Sequence, residues 1–123
     1  MAYDLNEGTI KWRIPLGVVP ELAAKGIKNT GTIGVTRNGP LVTAGGLIFM
    51  GTARDKTLHA FDKETGKTLW EKEMPANPES VPAIYQVGGR QYVAFFLSSG
   101  GRNSAQGYYV FALPKTASMT KKK

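Results

Sequence analysis

Residues 60–70, Ala60-Phe61-Asp62-Lys63-Glu64-Thr65-Gly66-Lys67-Thr68-Leu69-Trp70, decide the fold of this chain. They read as a strand, a tight glycine turn and a second strand ending on tryptophan. The aspartate is placed to cap the turn by accepting backbone N–H bonds, and the glycine supplies positive φ without steric cost. The same element occurs once more, as Ala2-Tyr3-Asp4-Leu5-Asn6-Glu7-Gly8-Thr9-Ile10-Lys11-Trp12. Alanine, an aromatic residue, aspartate, glycine and tryptophan recur at matching places. Self-similarity at a fixed offset is the mark of a repeat architecture.

Outward from that stretch, short strands follow one another with turn signals between them. Gly39 to Ala44 reads as a strand stopped by Gly45-Gly46, and Leu47 to Thr52 as an almost wholly apolar strand. Ala53 to Lys56 is a polar turn, Thr57 to Phe61 a third strand and Lys67 to Lys72 a fourth. Four short antiparallel strands over residues 38–75 make one propeller blade. Before it lie a hairpin over 2–14, closed by Pro15, and an irregular connection over 15–37. In that connection Pro20 to Gly26 forms at most one helical turn. After the blade, residues 79–114 predict an incomplete last blade: a strand from Val81 to Val87, a primed Gly88-Gly89 turn, a strand from Arg90 to Leu97, a glycine-rich loop, and a strand from Tyr108 to Leu113. Residues 115–123 read as a disordered basic tail.

The bulk composition agrees with a turn-rich β domain. The chain has 123 residues, 41% hydrophobic and 20% charged, with 15 glycines and 7 prolines. There is no cysteine, which excludes disulfides and thiolate metal sites. No apolar run approaches the ~18–20 residues of a membrane-spanning helix. No charged segment followed by an apolar one opens the chain, so no signal peptide is expected. The net charge of +7 owes three of its units to Lys121, Lys122 and Lys123, which read as a solvated tail. A nucleic-acid surface needs basic residues interleaved with exposed aromatics, whereas most aromatics here fall at strand positions, so no nucleic-acid partner is expected.

The element Ala-aromatic-Asp-x-x-x-Gly-x-x-x-Trp resembles the tryptophan-docking motif of quinoprotein β-propellers, in which the tryptophan packs against the neighbouring blade. The stretches Gly39 to Phe49, Gly89 to Ala94 and Tyr109 to Pro114 are similar to the C-terminal blades of dehydrogenases that use pyrroloquinoline quinone (PQQ), most of all the glucose, sugar and polyol branch. The resemblance implies an all-β chain of about two to two and a half four-stranded blades from an eight-bladed propeller. It also implies PQQ on the central axis with Ca²⁺ or Mg²⁺ beside it, a sugar or alcohol substrate and a periplasmic location. The chain is expected to be a fragment, inactive alone, because the family's catalytic aspartate and metal ligands lie upstream of this segment. Its expected partners are the remaining blades, including an N-terminal strand that completes the last blade, or further copies of the chain that close the ring. The other reading is a non-catalytic propeller scaffold of the outer-membrane assembly type.

Within that frame Asp4 and Asp62 are turn caps, since a catalytic residue need not recur in each repeat. Asp55 is expected to be solvated in its turn. Trp12 and Trp70 are docking residues. His59, the only histidine, reads as structural, with no carboxylate neighbour at ligand spacing. The paired cysteines that cover the cofactor in some alcohol-oxidising relatives are absent. The expected cofactor contacts are the loops entering the innermost strands, Arg37-Asn38-Gly39 and Glu79-Ser80. Asn38 offers a donor and an acceptor, and Gly39 permits close backbone approach. Asn29-Thr30-Gly31 and Ser98 to Gly101 are secondary candidates. No catalytic residue and no metal ligand is assigned.

Overall fold

A computed structural model describes residues 1–32, 37–99 and 105–114. The chain forms a hairpin and two sheets in sequence order. The hairpin joins β1 (Ala2–Asp4) to β2 (Thr9–Trp12). A short helix α1 (Pro20–Ala23) follows. The first sheet is β3 (Leu41–Val42), β4 (Leu47–Thr52), β5 (Thr57–Asp62) and β6 (Thr68–Glu73), antiparallel throughout. The second holds β7 (Asn77–Pro78), β8 (Ala83–Val87), β9 (Arg90–Ser98) and β10 (Gly107–Ala112). β9 is its spine: β10 pairs along one side, and β8 and β7 share the other.

The repeat extends to its irregularities. β1 and β2 shift register between Ala2 and Tyr3, and β5 and β6 shift between Ala60 and Phe61. Ala2 is opposite Trp12 as Ala60 is opposite Trp70. One extra residue on the outer strand, Lys11 or Leu69, makes the bulge that turns each tryptophan toward the following sheet. Asp4 caps its turn through Asn6 N at 2.9 Å, and Asp62 does so through Glu64 N at 2.9 Å and Thr65 N at 2.8 Å. Both aspartates therefore fold turns, as their recurrence implies.

Alternation along β5 separates the two faces of the first sheet. Leu58 and Ala60 face the second sheet, where Leu58, Met74, Ala76, Val93, Phe95 and Leu97 form the buried core. Phe49 and Phe95 meet edge to face across it. His59 and Phe61 face the other way and are also buried. β6 is exposed along its whole length, as befits an outer strand.

Two strands are shorter than the sequence suggests. The one expected over 39–44 reduces to Leu41–Val42, because Pro40 has no N–H to give and Thr43 turns the chain by accepting Leu47 N on its hydroxyl at 3.0 Å. The one expected from Val81 begins at Ala83. There Pro82 interrupts the ladder, and the Ser80 hydroxyl takes the Phe96 N–H at 3.2 Å in its stead. Gly88 and Gly89 both have positive φ, as a primed hairpin turn requires. The expected basic tail over 115–123 lies outside the described residues.

Candidate functional site

The two loops singled out in the sequence lie side by side where the inner strands of both sheets begin. Asn38 precedes β3, and its amide nitrogen donates to the Gly51 carbonyl at 2.9 Å and the Pro78 carbonyl at 2.8 Å. One side chain thus ties β4 of the first sheet to β7 of the second. Both partners are acceptors, so the NH₂ must face them and the amide oxygen must face away. That oxygen, Asn38 Oδ1, is buried and has no partner among the described residues. Gly39 comes so close to Val81 that a Cβ would sit 2.9 Å from its Cγ2. Glu79 N donates to Phe96 O at 3.2 Å, which fixes the second loop on β9. Arg37 is exposed, and Glu79 and Ser80 are half-buried.

The structure therefore brings Asn38 and Gly39 against the 78–81 segment, with Arg37, Glu79 and Ser80 flanking. Sequence reasoning missed Pro78 and Val81 as the neighbours of this cluster. It missed Gly51 as well, though a lone glycine in an apolar strand signals close backbone approach. Asn29-Thr30-Gly31 is not part of the cluster. Thr30 accepts Val19 N at 2.9 Å, and Asn29 lines a separate cleft of about 430 Å³ beside the first sheet. Ser98 pairs with Asn77 in the ladder, while 100 and 101 lie outside the described residues.

That separate cleft corrects two expectations. Asp55 is not solvated: its Oδ2 accepts Val18 N at 2.8 Å, and its Oδ1 is buried with no partner among the described residues. The irregular connection folds back over the blade and covers it. His59 does have a carboxylate neighbour, twelve residues away in sequence and opposite it in the sheet. Its Nδ1 lies 2.9 Å from Glu71 Oε1 and its Nε2 2.8 Å from Thr52 Oγ1, with the ring stacked on Phe61. Both ring nitrogens are engaged, so the role remains structural. No group of three or more His, Cys, Asp or Glu is placed to share a metal among the described residues.

The tryptophan ends supply the strongest link between sequence and class. The Trp12 indole N–H donates to Lys63 O at 2.9 Å, and the ring lies against Gly66. A tryptophan from one sheet seated on the Asp-x-x-x-Gly turn of the next, with sheets following one another in chain order, defines a segment of a docking-motif β-propeller. The chain belongs to the glucose/ethanol/alcohol dehydrogenase β-propeller domain family, whose model matches residues 1–93. PQQ is the cofactor of that family. The chain is 35% identical over 116 residues to a probable quinate dehydrogenase (quinone) of Xanthomonas campestris pv. juglandis, covering 90% of this chain and 15% of that protein. It is 33% identical over 116 residues to the quinate/shikimate dehydrogenase (quinone) of Acinetobacter baylyi, covering 90% and 14%. To quinoprotein glucose dehydrogenase A of Acinetobacter calcoaceticus it is 32% identical over 105 residues, covering 82% and 13%. The chain thus spans about one-seventh of the length of these relatives. No helix among the described residues is long and apolar enough to cross a membrane.

Proposed function

We propose that this chain supplies one edge of the PQQ site of a dehydrogenase that oxidises a sugar, polyol or alcohol hydroxyl. The observation that carries this reading is the buried, unpartnered Asn38 Oδ1 at the meeting of the two inner loops. A buried acceptor left open calls for a donor. PQQ, a tricarboxylated quinone with one ring N–H, offers one. Arg37 offers a guanidinium to a carboxylate, Ser80 offers a hydroxyl, and Gly39 lets the backbone approach closely. When bound, PQQ supplies a two-electron acceptor that takes the hydride of the alcohol carbon while the hydroxyl proton goes to a base. The part of this chain is to bind and orient. Asn38 holds the two sheets at fixed spacing, and the loops on either side present the contacts.

The chain alone is not expected to turn over substrate, since it spans only 15% or less of these relatives. The remaining blades come from the rest of a longer chain or from further copies of this one, and the compartment that the family resemblance implies is the periplasm. Equilibrium titration with PQQ tests the reading. Wild type should bind, Asn38→Leu should weaken binding by about tenfold or more, and neither should reduce a dye with glucose and Ca²⁺. Equal PQQ affinity in the two proteins would overturn it.

A further inference from the structure

Asn38 is the only asparagine of the chain that is followed by glycine. Asparagine before glycine is the pair most open to spontaneous deamidation, because a residue without a Cβ leaves its backbone nitrogen unshielded and free to reach the neighbouring side chain. In this fold both halves of the pair are held. Asn38 Nδ2 donates to Gly51 O at 2.9 Å and to Pro78 O at 2.8 Å, and both acceptors belong to buried residues. Gly39 is pressed on Val81, where a Cβ would stand 2.9 Å from Cγ2.

The two acceptors lie in different sheets, Gly51 in β4 and Pro78 in β7. They also touch each other, since a Cβ on Gly51 would meet Pro78 Cβ at 2.4 Å. The Asn38 amide cannot turn its Cγ toward the Gly39 nitrogen without giving up both hydrogen bonds. Both are kept only while the sheets stay together. The nitrogen that deamidation expels is thus the atom that ties β4 to β7 at this point.

We propose that Asn38-Gly39 is a deamidation site whose reaction is held off by the packing of the two sheets and released when they part. The Gly39 backbone nitrogen, its proton taken by base, attacks Asn38 Cγ. A C–N bond forms, the Cγ–Nδ2 bond breaks, and the side-chain nitrogen picks up a proton and leaves as ammonia. Water then opens the cyclic imide at one carbonyl to give aspartate, or at the other to give isoaspartate. Either product puts a carboxylate, which only accepts, where the amide donated. Returned between the Gly51 and Pro78 carbonyls, it brings a buried charge to two groups that have nothing to donate to it. Isoaspartate also lengthens the main chain by one methylene just before β3. A chain that opens long enough to react therefore does not close again in the same form. The inference rests on no cofactor, so PQQ binding can fail with it intact, and the reverse.

Peptide mass mapping of the full chain, aged in mildly alkaline buffer with and without unfolding urea, tests it. In urea the peptide holding Asn38 should exchange NH₂ for OH and yield isoaspartate that an isoaspartyl methyltransferase labels. In native buffer the same conversion should be at least about tenfold slower, since only the open fraction reacts. Asn38→Asp, which makes the unrearranged product directly, should lower the urea midpoint of unfolding. Where that variant does not fold, aged wild type supplies the readout. After dilution from urea, unconverted chains should regain native tryptophan fluorescence and converted ones should not. A native rate equal to the rate in urea, no conversion in urea, an unchanged midpoint for Asn38→Asp, or equal refolding of converted and unconverted chains would each overturn the proposal.

Discussion

Trp12 and Lys63 join two sheets through a single hydrogen bond, indole N–H to main-chain carbonyl at 2.9 Å, with the ring packed on Gly66 three residues further on. The bond satisfies the one polar group of a large apolar side chain, so the ring can be buried between sheets without penalty. The turn is shaped to receive it, because positive φ at Gly66 and the absence of a Cβ leave room for the indole.

Gly66→Ala should therefore be far more damaging than Gly8→Ala. Both place alanine at positive φ, which costs roughly 1–2 kcal/mol. Only Gly66→Ala also drives a methyl into Trp12, so its total should be about 3 kcal/mol or more. Urea unfolding followed by tryptophan fluorescence gives both numbers. Equal losses at the two sites would contradict the docking geometry.

Acid should loosen the same interface. Hydrogen bonding from Lys11 holds Glu64 below its ordinary carboxylate value, and hydrogen bonding from Thr65 does so for Asp62. Lys11 is raised by its bond to Glu64. The carboxylates' contribution is complete above their ordinary values of 4.5 and 3.8 and is lost as pH falls through the depressed folded values. That of Lys11 is complete below its ordinary 10.5 and is lost as pH rises through the raised one. Melting temperatures of wild type and Glu64→Gln should differ near neutrality and converge as pH falls below the ordinary carboxylate value of 4.5. A constant gap across the acid range would refute this assignment.

Asp55→Ala should release the irregular connection. Asp55 Oδ2 holds Val18 N at 2.8 Å, and Gly17 leaves no space for anything larger than hydrogen beside it. Loss of the acceptor should cost about 1–3 kcal/mol. Amide exchange should speed up at Val18 and Val19 while Phe95 and Leu97 in the core stay protected. Asp55→Asn keeps an acceptor and should behave closer to wild type.

His59→Ala should cost about 2–4 kcal/mol, since it opens a cavity beside Phe61 and removes a partner from buried Thr52. Thermal unfolding of the variant measures this. A loss under about 0.5 kcal/mol would show that the Thr52–His59–Glu71 chain contributes little to stability.

Much of this was legible in the sequence because it is local. Asp-x-x-x-Gly fixes a turn through hydrogen bonds spanning a few residues, and its recurrence exposed the repeat. The strands Leu47–Thr52 and Arg90–Ser98 stand where their apolar runs stand. What was not legible depends on distant partners. The grip of Asp55 on Val18 spans 37 residues, and Glu71 meets His59 only once β5 and β6 pair in register. Asn38 was recognised by residue type and by family resemblance. That its amide bridges two sheets and leaves its oxygen open could come only from their assembly.

The central claim is that the inner loops of this chain face PQQ, and amide chemical-shift mapping tests it most directly. With ¹⁵N-labelled chain titrated with PQQ, the account predicts shifts concentrated at Arg37, Asn38, Gly39, Glu79, Ser80 and Val81, and weakened by Asn38→Leu. Shifts confined to the Asn29–Asp55 cleft, or none up to millimolar PQQ, would contradict it.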